Sequence, residues 1–344
     1  MKYEKTAILD GYRKRNRRYL LVCGAMGFII LCLAIFEMVY GNTVYPISTV
    51  IKALMGENIK GASYTIVSLR LPRMLGGLLC GFAFGMAGNI FQKLLRNPLA
   101  SPDIIGVTSG SSVAAVYCIL VLHLSGSIVS IIAMLSGLLV SAIIYWLAQS
   151  GPYGFSNSRL ILTGIGAQAF LNAMVSWLLL KAAQYDVPNA LRWLSGSLNN
   201  VNLSEIPRLL FVTATVSLFL SVFYRHLEII ELGDYHAITL GLNRNAIRIT
   251  FILGALILIA FATSISGPIA SVAFLSGPIA NKLAGEGKSN MLSSGLTGSI
   301  LVMASDMAAQ YAFPARYPVG VLTGILGAPY LIYLLLSYNR KGIQ

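Results

Sequence analysis

The sequence predicts an all-α, polytopic membrane protein of about ten transmembrane helices, and three features carry that prediction. Of its 344 residues, 56% are hydrophobic and 11% charged, against roughly 25% charged in a soluble domain; the mean hydropathy is +0.74. Apolar runs long enough to cross a bilayer recur along the whole chain. Seven of the 25 Lys and Arg residues crowd into the first 18 positions, directly before the first run, where basic charge marks the cytoplasmic side of a membrane protein. Three segments are expected: a basic cytoplasmic tail at 1–18, one transmembrane domain at 19–338, and a cytoplasmic tail at 339–344.

The first run, 19–40, exceeds a signal-peptide core and is expected to stay as a spanning helix. The second, 65–90, carries Gly77, Gly81 and Gly85 at four-residue spacing, which lets helix backbones approach closely. It leads into the most informative stretch of the chain, residues 92–102, reading Gln-Lys-Leu-Leu-Arg-Asn-Pro-Leu-Ala-Ser-Pro. Asn97 is a good helix cap, and Pro98 and Pro102 cannot continue a helix. The chain must stop, turn and restart beside the bilayer, which is tolerated only where protein or a watery cavity satisfies the backbone.

Further runs follow at 104–122, 127–149, 158–181 and 208–224. After the last comes a polar loop, 225–248, with Glu228, Glu231, Asp234, Arg244 and Arg248. Gly233 and Gly241 break it, predicting short helices at 234–240 and 243–247 around a Gly-Leu corner. Such a loop suits docking of a cytoplasmic partner. The remaining runs are 248–268, 271–284, 293–312 and 319–338; the eighth is too short to cross fully, and the last carries Gly320 and Gly324.

Ten segments place both termini on one side. With the N-terminus inside, 17 Lys and Arg residues fall inside, Lys288 among them, and eight outside, which supports that orientation. The outer eight, including Arg70, Arg73 and Arg316, exceed what anchoring requires. The net charge of +13 follows the membrane-flanking segments, so nucleic acid is not an expected partner.

The candidates for bond chemistry are few. Cys23, Cys32, Cys80 and Cys118 lie inside apolar runs without metal or redox spacing. His123, His226 and His236 are scattered, and no phosphate-cradling Gly-x-x-x-x-Gly-Lys-Ser/Thr is present. No catalytic residue or bound metal is expected. Glu37 and Asp306 are the intramembrane carboxylates, and a structural role is expected for Asp306, capped by a neighbouring helix.

Several blocks, in order, resemble the FecCD-type permeases, membrane subunits of binding-protein-dependent ABC importers for iron–siderophore, haem and cobalamin. They are Leu-Arg-Leu-Pro-Arg at 69–73, the 92–102 corner, 106–110, Ser-Arg-Leu-Ile-Leu-Thr-Gly at 158–164, and Trp-Leu-Ser-Gly-Ser-Leu at 193–198. Leu-Gly-Leu at 240–242, Ser-Gly-Pro-Ile-Ala at 266–270 and the stretch 318–329 complete the series. The Asn-Pro-Leu-Ala core and the Trp-Leu-x-Gly-Ser-Leu block are the specific signals. The resemblance implies a type II ABC importer permease fold with ten spanning helices.

It also implies roles for particular residues. The cytoplasmic gate would use Asn97, Leu99, Asn157 and Ser158; ATPase coupling would use 234–247, with Asp234, Leu240, Gly241, Leu242 and Asn243. Arg70, Arg73 and Arg316 would dock the two lobes of an extracytoplasmic binding protein. The implied partners are a second homologous permease, two ATP-binding subunits that use ATP and magnesium, the binding protein, and the lipid of a bacterial inner membrane. No cofactor would be bound by this chain.

The sequence departs from the family's Pro-His-x-x-Arg block, with Gly277, Pro278 and Lys282 standing there. That divergence favours a heterodimer of unlike permeases. The implied cargo is an iron–siderophore, with a lean towards the catecholate type; cobalamin or haem is the alternative within the family. A proton-coupled secondary carrier is the alternative from another class, against which sparse intramembrane carboxylates and the lack of evident internal duplication count.

Overall fold

The computed structural model of the chain describes residues 2–149, 156–285 and 290–341, and among them the regular structure is helical throughout. Lys288 and residues 342–344 of the expected C-terminal tail lie outside the described residues. In order, the helices are α1 (Lys2–Val39), α2 (Ile47–Leu54), α3 (Leu71–Leu95), α4 (Val107–Leu120), α5 (Ser127–Gln149), α6 (Asn157–Lys181) and α7 (Val187–Leu194). There follow α8 (Ile206–Val222), α9 (Tyr224–Leu232), α10 (Asp234–Thr239), α11 (Arg244–Ser266), α12 (Val272–Ala284), α13 (Met291–Tyr311) and α14 (Val319–Lys341).

Each of the ten predicted runs is a helix. The basic tail is not set apart from the first: α1 continues through it, with no proline to stop it. Before α3, Tyr64–Arg70 winds as a π-helix. Pro72, in the second position of α3, explains the wider winding, because it has no N–H for the Ser68 carbonyl and its ring crowds that oxygen.

Among the described residues, five helical stretches are individually long and apolar enough to cross a membrane: Arg13–Val39, Tyr64–Leu95, α5, α6 and α11. A sixth is the pair α8 and α9, bent by 56°. Of the other predicted spans, α4, α12 and α13 are shorter or more polar and are largely enclosed by protein, whereas much of α14 is exposed. The buried residues of α13 include Ser293, Ser294, Thr297 and Ser299, and this helix packs against α3, α12 and α1.

At the centre stands α3, with α13, α11 and α12 against it. Its glycines are contact points: a Cβ at Gly81 would sit 2.5 Å from the Gly298 carbonyl oxygen, and one at Gly298 would sit 2.1 Å from that of Gly81. Between the same helices, the Ser299 hydroxyl donates to the Leu78 carbonyl at 2.8 Å. The pair α4 and α5 repeats the pattern, with Ser111 donating to Ala133 at 2.8 Å and Ser136 to Gly110 at 3.0 Å. Where lipid cannot drive helices together, close approach and interhelical hydrogen bonds hold them.

Three irregular segments meet inside the bundle. The Ser197 amide donates to the Ser266 carbonyl at 2.7 Å, and the Gly320 amide to the Gly196 carbonyl at 3.2 Å. A Cβ at Gly267 (φ +69°) would lie 2.5 Å from the Trp193 carbonyl oxygen. The blocks at 193–198, 266–270 and 318–320 are therefore one packed junction, and their broken backbones bond to one another in place of water.

Candidate functional site

Helix α3 gives the bundle two distinguishable ends, with Arg73 in its first turn and Lys93 in its last. One end gathers Arg70, Arg73 and Arg316, and is called here the arginine end. All three line a single open cleft of about 950 Å³ with Asn42, Asn199 and Gln310. The three arginines are held differently. Arg70 is half-buried and donates to the carbonyls of Met38 (2.8 Å), Val39 (3.0 Å) and Thr43 (2.6 Å), so it caps the C-terminus of α1. Its guanidinium also lies 5.1 Å from the centre of the Tyr45 ring.

Arg73 forms a two-pronged ion pair with Asp306 of α13, with Nε at 2.6 Å from Oδ2 and Nη2 at 2.8 Å from Oδ1. It also donates to the Asn199 side chain at 2.5 Å, and Gln310 donates to the same carboxylate at 2.7 Å. Asp306 is 1% exposed, and its partner is an arginine on the neighbouring helix α3, in keeping with the structural role expected for it. Glu37 is buried as well, near the end of α1. Arg316 is exposed and donates to Asn42 at 2.8 Å. A second cavity, of about 390 Å³, adjoins the cleft and shares Gly126, Asn200 and Asn202 with it.

The opposite end carries the 92–102 corner. Helix α3 stops at Arg96, which takes the left-handed conformation (φ +51°). Asn97 does not cap a helix as predicted: its side-chain oxygen accepts from the Leu99 amide at 2.9 Å, an Asx turn. Capping falls to Ser101, which opens the short turn Pro102–Ile105, while Asp103 accepts from the hydroxyls of Ser101 and Thr108 at 2.9 and 2.7 Å. Asn97 is exposed and Leu99 half-buried, and Leu99 lines a cavity of about 450 Å³ with Phe84, Ser271, Phe274, Gly324 and Gly327. Asn157 does not line that cavity. It stands at the start of α6 in a narrow crevice beside Leu95, Leu160 and Arg248, and Ser158 is exposed.

Also at this end lies the polar loop. Asp234 begins α10, which ends at Thr239; Gly241 (φ +73°) then turns the chain. The second short helix expected at 243–247 does not exist separately. Asn243 is the N-cap of α11, accepting from the Ala246 amide at 3.1 Å, so those residues are the first turn of a long helix. Leu232, Ile238 and Leu240 are 71%, 53% and 63% exposed, whereas Leu242 is half-buried and packs on the core.

The sequence does not single out Asn199 and Gln310 around Asp306, nor does it pair Lys93 of the 92–102 stretch with Glu231 of the polar loop. The only sequence signal for the last pair was opposite charge at the two ends of a long separation.

Comparison with known proteins gives this geometry a family. The FecCD transport family matches residues 28–337. The ferric enterobactin transport system permease protein FepG of Escherichia coli K12 is 33% identical, over 95% of this chain and 98% of its own. The Fe(3+)-citrate import system permease protein YfmD of Bacillus subtilis 168 is 36% identical over 80% of this chain and 81% of its own. The achromobactin transport system permease protein CbrC of Dickeya dadantii 3937 is 31% identical over 91% and 90%. Among solved structures, an ABC transporter assigned to the metal-chelate type, in an inward-facing conformation, superposes with a TM-score of 0.80 at 24% identity, covering 92% of this chain and 99% of that one; this likeness is one of fold. With its ten predicted helices, its broken junction and a family match across nearly the whole sequence, the chain belongs to the FecCD transport family.

Proposed function

We propose that this chain is one of two permease subunits of a bacterial ABC importer for iron–siderophore chelates of the catecholate type. It would lie in the cytoplasmic membrane with both termini inside. The observation that carries this reading is that relatives aligned over nearly the whole chain are named as permeases for ferric enterobactin, Fe(3+)-citrate and iron(3+)-hydroxamate. Two ATP-binding subunits, using ATP and magnesium, would supply the energy, and this chain would bind no cofactor.

Named surfaces then take named tasks. The arginine end, with Arg316 foremost because it is exposed, receives an extracytoplasmic binding protein, where opposite charges favour register and fast docking. At the other end, three large apolar side chains exposed on or beside α10 fit burial against an ATP-binding subunit. The gate is formed by Asn97 and Leu99 with Asn157 and Ser158. In one chain Leu99 and Asn157 line separate hollows, so closure across the path would involve the second permease. Gly277, Pro278 and Lys282 favour an unlike partner over a second copy.

Ferric citrate is a second reading, favoured by the 36% identity to a ferric-citrate permease. Uptake of radio-iron in cells lacking and regaining this chain separates them. Offered as ferric enterobactin, ferric citrate and haem, with labelled cobalamin beside them, the catecholate alone should depend on the chain. Dependence on citrate alone would replace the cargo. Uptake that resists orthovanadate but collapses with a protonophore at constant ATP would replace the class with a proton-coupled carrier.

A further inference from the structure

The last turn of α3 is a meeting point of three elements. Lys93, only 8% exposed, forms an ion pair with Glu231 of α9. Arg96, the residue that ends α3, donates to the Ile230 carbonyl through Nη2 at 2.8 Å and Nε at 3.2 Å. Gln92, one residue before Lys93, donates to the Phe274 carbonyl at the start of α12 at 3.0 Å. The Gln92 carbonyl in turn accepts from the Asn97 amide at 3.0 Å, so this turn also fixes the start of the corner.

On the α9 side the grip falls at one place. Ile230 and Glu231 are in the last turn of α9, where helix carbonyls lack intrahelical partners and attract cations. Two cations from α3 occupy that end. Ile230 and Leu227 are fully buried beneath them, so the end of α9 cannot slide on α3 without losing both packing and charge. Only Gly233 (φ +135°) separates α9 from α10, and the Ala237 amide donates back to the Gly233 carbonyl at 3.2 Å.

We infer that Lys93 and Arg96, with Glu231 and the Ile230 carbonyl, form the mechanical joint that carries a displacement of α10 to the 97–102 corner. These are positioning residues: they touch no cargo, and they join the helix that would meet the ATP-binding subunit to the turn that would gate the path. The inference rests on the proposed reading of α10 as the coupling element. A displacement at α10 enters α9 through one glycine, leaves through the ion pair and the arginine, and arrives one residue before Asn97. Gln92 shares it with α12, whose first turn borders the same cavity as Leu99.

The test uses the assembled transporter in membranes, with Cys23 and Cys32 replaced by serine and Leu99→Cys as reporter. The rate of maleimide labelling is compared without nucleotide and with ATP plus orthovanadate. Lys93→Met and Glu231→Gln should shrink the ATP-dependent change at least about fivefold, the lower end of an ordinary coupling, while the ATP-binding subunits still co-purify. Lys93→Arg should retain it. Glu231 has a side chain that is 44% exposed, and a Gln there keeps an oxygen that accepts from the Lys93 ammonium. Glu231→Gln thus removes the charge pairing while leaving Lys93 a polar partner, and it serves as the second variant if Lys93→Met does not fold. An ATP-dependent change equal to the parent's in Glu231→Gln overturns the joint. Leu240→Glu tells the two ideas apart. If it abolishes the change while the joint variants keep it, the joint alone falls; if it leaves the change intact, the coupling role of α10 falls and the joint with it.

Discussion

Arg73 and Asp306 hold opposite charges in a place from which water is largely excluded, and removing one would strand the other. Asp306→Ala should therefore destabilise the folded chain by about 3–5 kcal/mol, read as a lower unfolding temperature in detergent; an unchanged temperature would leave Arg73 free for an external partner. The same pairing makes Arg73→Glu a poor probe of docking, because it breaks the protein's own contacts first. Arg316→Glu is the cleaner probe. It should weaken binding-protein docking at low salt and leave the fold intact, and the difference should fade as salt screens the interface. Equal affinity at low salt would remove Arg316 from the docking surface. At this scale the sequence was read only in part. An arginine in a Leu-Arg-Leu-Pro-Arg block announces charge at a membrane boundary, but its partner lies 233 residues away, and nothing local specifies which carboxylate folds against it.

Among the elements, periodicity and breakers were legible wherever the cause was local. The ten apolar runs, the short eighth helix and the stop at 96–102 all follow from hydropathy, glycine and proline. Errors came where tertiary context chose between local options. Asn97 had a side chain fit for a helix cap and used it in an Asx turn, because Arg96 had already taken the left-handed end of α3. Asn243 predicts the start of a short helix and opens a long one, because no proline between it and Ser266 breaks the helix. The glycine spacing of α3 was read correctly as close packing, but its partner on α13 was not visible. Gly81→Val should cost about 1–3 kcal/mol through overpacking, measured as thermal stability of the purified chain. A fully stable Gly81→Val would show that α3 and α13 can separate without penalty.

For the molecule as a whole, the tasks proposed here fall at two ends joined by a closely packed centre. The arginine end and the corner end are linked through α3, which carries Arg73 in its first turn and Lys93 in its last, with helix packing on several sides between them. The junction of the 193–198, 266–270 and 318–320 segments lies inside the bundle, where backbone can break because other backbone satisfies it. Fold class was legible from composition, the recurring apolar runs and the basic cluster before the first of them. Family followed from the ordered blocks, but the convergence of three of those blocks on one junction was not, since it depends on how α11, α12 and α14 pack.

The central claim is that this permease works as one half of an ATP-driven importer. Tagging the chain at its native locus, solubilising membranes gently and identifying the co-purifying proteins by mass spectrometry tests it most directly. A second, unlike permease together with an ATP-binding subunit is the expected result. This chain recovered with an ATP-binding subunit and no other permease would contradict the heterodimer, and recovery with no ATP-binding subunit at all would contradict the claim itself.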